Sequence, residues 1–216
     1  MNTKETIILA AIDIFSEKGK YGATMDEIAK KAKVNKAMIY YFFSTRENIY
    51  IETVSYILKK IIIDMSDKVI KKIKKARDPL LWIQILVKNH LRTFSENMNY
   101  TKILLEALIQ NPEEIKKAAR ALKGSHFLES HKSGEKKRLE QFLEDGIEKG
   151  ILRKIDPIQT LISIMGMILI YFISKPISQI MLDIDVKNER SFLKKREKSI
   201  IDLILHGVIA NENSNV

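Results

Sequence analysis

Apolar side chains recur along this chain at helical spacing. Ile8, Ala11, Ile12 and Phe15 stand at i, i+3, i+4 and i+7, which makes one apolar stripe along a first helix. Gly19 and Gly22 flank its end, where a residue able to adopt positive φ is useful. No window sustains a period-two alternation bounded by turn pairs, and glycine and proline number only 8 and 4. The pattern predicts an all-α chain.

Start signals divide it into helices. In Thr24-Met25-Asp26-Glu27 the threonine can cap and the glutamate can reach back, the capping-box spacing. The second helix is short and ends near Lys33, with Val34 in the turn. Asn35 is a good N-cap for a third helix over 36–43. Ser44-Thr45-Arg46-Glu47 repeats the capping-box spacing and opens a long fourth helix to about Lys75, with Ile51, Val54, Ile57, Leu58 and Ile61 among its apolar positions. Asp78-Pro79, Asn111-Pro112 and Asp156-Pro157 each set an Asx cap before a first-turn proline. Further helices are expected over 79–97, 100–110, 112–122, 134–149 and 157–175, with a break over 124–134, and a last one over 187–210 before a frayed tail. The sequence has no internal repeat and no low-complexity tract.

Two short helices joined by a three- or four-residue turn define a helix-turn-helix. On the third helix, Ile39 and Phe43 are four apart and should pack inward with Phe15, Ile28, Ala29, Ala32 and Val34. The opposite face presents Lys36, Ala37, Tyr40 and Tyr41, with Met38 at its edge. Such a face suits base and phosphate contact: a small alanine allows close approach, methionine and aromatic rings meet thymine methyls, and lysine and phenolic hydroxyls reach phosphates or base acceptors. Lys30, Lys31, Lys33 and Lys36 form a run with no acid among them. Arg46 sits beside the fourth helix N-terminus, itself an anion site. Periodicity by itself leaves open whether Tyr40, Tyr41 and Phe42 are instead core aromatics.

Charge adds little here. The formal net charge is +10, which favours polyanionic partners, but residues 1–50 hold eight Lys/Arg against six Asp/Glu. The absence of cysteine excludes disulfides and thiolate metal sites and fits a reducing, cytoplasmic setting. No signal peptide is read at the N-terminus. The apolar stretch 158–174 is 17 residues long, short of the roughly 20 that a membrane span needs, so a buried core or interface helix is expected.

The segment Thr24-Met25-Asp26-Glu27-Ile28-Ala29-Lys30-Lys31-Ala32-Lys33-Val34-Asn35-Lys36-Ala37-Met38-Ile39-Tyr40-Tyr41-Phe42-Phe43-Ser44-Thr45-Arg46-Glu47-Asn48-Ile49 resembles the N-terminal signature of the tetracycline-repressor (TetR) family. The first helix fits too, so the resemblance covers residues 5–50 closely and rests beyond them on helix order and length. Lys33 and Ala37 stand where the family commonly has glycine, Asn35 replaces the usual small cap, Phe42 replaces a frequent histidine and Arg46 a lysine. The resemblance implies phosphate or cap contacts from Thr24, Tyr41 and Arg46, and base-proximal roles for Lys36, Ala37, Met38 and Tyr40, with a weaker claim for Phe42. It implies a helix-turn-helix DNA-binding domain over 1–48 and a larger helical regulatory and dimerisation domain over 49–216. The last two helices would pair across a two-fold axis, and the operator would be palindromic double-stranded DNA.

The apolar stretch 158–174 and the wide apolar face of Ile200, Ile201, Leu203, Ile204 and Leu205 are compatible with that pairing. Trp82, Phe94, Met98, Tyr100, Leu104, Phe127, Met165 and Tyr171, with His90 and Met167, are candidate lining residues of an effector pocket, although aromatics and methionines at helical spacing usually pack as core. Such a lining favours a hydrophobic or amphipathic small molecule as effector, and a repressor released by it. No cofactor or metal is implied: the chain has no metalloprotease, phosphate-loop or nucleophile-elbow motif, which argues against an enzyme, and His126 and His131 read as solvated loop residues. The competing class is a membrane-surface or helical interaction protein without sequence-specific DNA binding.

Overall fold

The computed structural model describes residues 2–60, 78–123, 142–182 and 189–208. Every element among them is helical: α1 (Thr3–Gly22), α2 (Met25–Ala32), α3 (Lys36–Phe43), α4 (46–60), α5 (Pro79–Glu96), α6 (Met98–Gln110), α7 (Pro112–Lys123), α8 (142–148), α9 (Pro157–Met181) and α10 (Glu189–Val208). The break expected over 124–134, the early part of the helix expected over 134–149, and the far end of the fourth helix lie outside the described residues.

Packing divides the described residues into two units. The first holds 2–60 and 94–123; the second holds 78–93, 142–182 and 189–208. In the first unit α1 packs on α2 and on α6, α2 on α3, and α6 on α7. The predicted stripe of α1 is its core face: Ala11 is fully buried, and Ile8, Ile12 and Phe15 nearly so. Phe15 meets the buried ring of Tyr50 edge-on at 5.1 Å. Ile28, Ile39, Phe43, Val54, Ile57, Ile103 and Ala107 complete this core. Each buried Ile, Val or Phe among them contributes about 1.5–3 kcal/mol by leaving water.

In the second unit α9 packs against α10. Ile164, Ile168, Ile200 and Ile204 are buried, and the Tyr171 ring stacks on Phe192 at 5.2 Å. Lys175 Nζ reaches Glu189 Oε1 at 2.6 Å, and Arg196 donates to the Met167 carbonyl at 2.8 Å.

The tertiary fold changes several local expectations. The fourth helix is capped by Thr45, whose hydroxyl accepts from the Asn48 amide at 3.1 Å. Ser44 is unavailable for that role because it sits at φ 60 and ψ −44, where it ends α3 by donating to the Tyr40 carbonyl at 2.9 Å. Of the two glycines near the end of α1 only Gly19 takes a positive φ, at 68°. The ninth helix continues through Pro176 to Met181, so it is 25 residues long. It is therefore long and apolar enough to cross a membrane by length and composition, and the length argument against a span fails. Within the single chain one face of this helix is open. Ile158, Ile162, Ile170, Ile173, Ile177 and Ile180 lie exposed along one stripe.

Candidate nucleic-acid interface

Three helix ends set the geometry of this site. Thr24 begins α2 with the full capping box: its hydroxyl accepts from the Glu27 amide at 3.3 Å, and the Glu27 carboxylate accepts from the Thr24 amide at 3.1 Å. Lys18 also pairs with Glu27, and hydrogen bonds from Lys18 and Thr24 hold that carboxyl below the usual carboxylate range. At the other end, Val34 N–H reaches the Ala29 carbonyl at 3.1 Å and Lys33 N–H the Lys30 carbonyl at 3.3 Å. These are the paired bonds of a Schellman turn, which requires a left-handed residue at its C′ position. Lys33 supplies it, at φ 56 and ψ 40. The turn thus keeps glycine's geometry without glycine. Asn35 then caps α3 by accepting from the Met38 amide at 2.8 Å.

With its start fixed in this way, α3 buries Ile39 completely and Phe43 nearly so. Tyr40 is 46% exposed, Tyr41 80% and Met38 38%, and Lys36 and Ala37 are exposed beside them. Tyr40 and Tyr41 are therefore surface residues, which settles the alternative that periodicity left open. Phe42 is half-buried, with its ring edge-on to Tyr41 at 5.2 Å and tilted against Phe43 at 6.2 Å. It stands off the outer face.

The basic groups are less independent than their run suggested. Lys36 Nζ lies 2.8 Å from Asp26 Oδ2, and Lys31 Nζ 3.1 Å from Asp13 Oδ2. The hydrogen bond that Lys36 donates to Asp26 raises its ammonium above its ordinary pKa. Asp26 was missed because it is ten residues from Lys36 in sequence, and only the packing of α2 on α3 brings the two together. Arg46, expected at phosphates, donates from Nη1 to the carbonyls of Tyr21 at 3.1 Å and Ala23 at 3.3 Å. It staples the α1–α2 turn to the start of α4 while remaining exposed. Tyr21, also absent from the sequence-based candidates, is 66% exposed beside that staple.

The candidate effector residues fall into both units. Phe94, Met98, Tyr100 and Leu104 belong to the first, where Phe94 and Leu104 are buried and Tyr100 lines an open cleft with Thr6, Asp13, Lys31 and Asn99. Trp82, Met165 and Tyr171 belong to the second. There Trp82 lies edge-on to Phe142 at 6.3 Å, and burial pushes the Tyr171 hydroxyl up to about 12, with Glu189 adding to the shift. His90 is buried in α5, with Nδ1 2.8 Å from the Leu86 carbonyl, and burial lowers its pKa. Phe127, His126 and His131 lie outside the described residues.

Known proteins match this arrangement at both ends of the chain. The family profile described as bacterial regulatory proteins, tetR family, matches residues 7–53, and that described as tetracyclin repressor-like, C-terminal domain, matches residues 84–204. The negative transcriptional regulator IcaR of the biofilm operon icaADBC from Staphylococcus aureus strain Newman is 47% identical over 51 residues, 24% of this chain and 27% of the relative. The Staphylococcus epidermidis protein of that name is 45% identical over 51 residues, 24% of this chain and 28% of the relative. The chain thus aligns with about a quarter of the length of these curated relatives. Among solved structures, the fatty acid degradation regulator FadR from Bacillus halodurans is similar with a TM-score of 0.65 at 23% identity, over 95% of both chains. FadR from Bacillus subtilis, solved in complex with stearoyl-CoA, is similar with a TM-score of 0.67 at 20% identity, over 94% of this chain and 98% of that one. At these identities the structures speak for the fold alone. The two profile matches, lying over the capped helix-turn-helix and over the helices that follow it, show that this chain belongs to the TetR family of bacterial transcriptional regulators.

Proposed function

We propose that the protein is a ligand-responsive repressor that binds a palindromic operator as a homodimer and is released by a hydrophobic small molecule. The observation that carries the reading is α3, which buries Ile39 and Phe43 and leaves Lys36, Ala37, Met38, Tyr40 and Tyr41 on its open face. Base contact comes from Lys36, Ala37, Met38 and Tyr40; phosphate contact comes from Tyr41, the Thr24 end of α2, and Arg46 beside the first turn of α4. The functional division at residues 48 and 49 belongs to the same proposal.

The dimer forms through α9 and α10. The exposed isoleucine stripe of α9 supports this, because an apolar face of that length needs a partner and a two-fold copy supplies a matching one. Paired recognition helices then meet successive major grooves about 34–36 Å apart. Effector binding lowers operator affinity only if it favours another spacing of those helices. The stearoyl-CoA of the Bacillus subtilis structure fits an elongated apolar effector for this chain as well.

Selection of genomic fragments with the purified full-length protein tests the reading. A short inverted repeat should be recovered, its affinity falling steeply with salt. Tyr41→Ala should weaken binding by about tenfold or more while leaving the dimer and its melting temperature unchanged, since exposed substitutions shift stability by only about 0.5 kcal/mol. Recovery of no specific fragment, together with sedimentation on anionic vesicles, would favour a membrane-surface protein instead.

A further inference from the structure

Lys20 is a buried lysine close to the DNA-binding helices. Gly19, at φ 68 and ψ 176, interrupts the helical path of α1 and turns the Lys20 amide out of the helix. That N–H is donated to Glu106 Oε1 on α6, at 2.9 Å. A Cβ at Gly19 would stand 3.2 Å from the same oxygen, and φ 68 with ψ 176 is a backbone conformation that favours glycine. The Lys20 side chain then enters the first unit. Its Nζ lies 2.6 Å from Glu114 Oε1 on α7 and 3.3 Å from Asn111 Oδ1 at the α6–α7 junction. It also lies over the rings of Tyr21 and Tyr50, at 5.1 and 5.5 Å from their centroids. The Lys20 and Glu114 side chains are 10% and 16% exposed, so the pair is shielded from salt, in contrast to the exposed Lys117–Glu47 pair that also ties α7 to α4.

One residue therefore touches α1, α4, α6 and α7. We propose that Lys20 is the positioning residue that locks the kinked end of α1 onto α6 and α7, so that a rearrangement of the α6–α7 junction reaches the helix-turn-helix through it. Lys20 makes no contact with DNA in this scheme. It acts by fixing the α1–α2 turn, whose Tyr21 and Ala23 carbonyls are held on the other side by Arg46, and so fixes where the recognition helix can stand. A buried charge held by one carboxylate serves this purpose, because its alternative is an unpaired charge and the contact is either made or lost.

The functional half of this proposal rests on the DNA-binding reading, and two readouts on the full-length dimer keep the two separable. The first is affinity for the selected operator and for random duplex DNA. Lys20→Met and Glu114→Gln should each weaken operator binding by roughly tenfold, within the usual 5–150-fold range of coupling between sites. The double variant should be no worse than either alone, Lys20→Arg should restore binding, and affinity for random DNA should stay unchanged. The second is hydrogen exchange in the DNA-free protein, where Glu114→Gln on α7 should speed exchange at the amides of residues 20–23 on α1. Unchanged operator affinity in both single variants, or additive losses in the double variant, would overturn the positioning role. Unchanged exchange at residues 20–23 would overturn the lock itself. If exchange responds but the wild-type protein selects no DNA, the lock stands and the operator reading falls.

Discussion

Lys36 of the recognition helix is held by Asp26 of the preceding helix, Nζ to Oδ2, at 2.8 Å. Both groups are exposed, with 47% and 70% of their side-chain surfaces open to solvent. A lysine expected to meet DNA thus carries its own carboxylate, which also faces an approaching phosphate. Asp26→Asn should leave the fold intact, raise affinity for random duplex several-fold and steepen the salt dependence by about one unit of slope. Lys36→Ala should do the reverse and weaken operator binding. Fluorescence anisotropy over a salt series distinguishes the two; an Asp26→Asn protein indistinguishable from wild type would show that the pair plays no part in recognition.

The left-handed Lys33 gives a second expectation. An L-residue in this conformation costs roughly 1–2 kcal/mol, part of which glycine returns through its unfolded-state entropy. Lys33→Gly should therefore stabilise the protein by about 0.5–1 kcal/mol. Thermal melting checks this. A lower melting temperature would mean that the lysine side chain contributes more than the turn strain costs.

The isoleucine stripe of α9 predicts an oligomeric state. Ile177 is 66% exposed and lies midway along the second half of the stripe. Placing a lysine there should weaken self-association by about 2–4 kcal/mol if a second copy covers it, since the charge would be desolvated without a partner. Sedimentation equilibrium should then show monomer where the wild type is dimeric. A dimer of undiminished affinity in Ile177→Lys would place the interface elsewhere.

His90 predicts a pH dependence. Burial depresses its folded-state pKa below that of the unfolded chain, so folding favours the neutral ring. Its contribution is intact above the unfolded imidazole range and is lost progressively as pH falls from about 6.5 toward the depressed folded value. The melting temperature should drop as pH falls below the ordinary imidazole range, about 6.5, and His90→Gln should flatten that drop. An unaltered pH profile in the variant would rule out His90 as its source.

Much of the geometry of α2 and α3 was legible in the sequence because it is built from local rules. Capping residues fixed the starts of α2 and α3, and four-residue spacing put Ile39 and Phe43 on one face and therefore Lys36, Tyr40 and Tyr41 on the other. Helix caps and periodicity act over a turn or two of chain, so a sequence exposes them directly. The outer groups were harder. Asp26 and Arg46 meet Lys36, Tyr21 and Ala23 only after α1, α2, α3 and α4 have packed, and no spacing rule encodes such pairs. The end of α9 was missed because proline inside a helix removes one hydrogen bond without obliging the helix to stop.

By itself, the sequence determined an all-helical chain, the order of its helices, and the two faces of the recognition helix, all set by short-range hydrogen bonding and by the period of 3.6 residues. Tertiary structure alone decided that Lys36 is paired with Asp26 and that Lys20 is buried among residues of α4, α6 and α7. These outcomes depend on contacts between residues 86–94 positions apart in the case of Lys20, and long-range contacts of that kind are selected by how whole faces pack, not by the neighbours of any one residue.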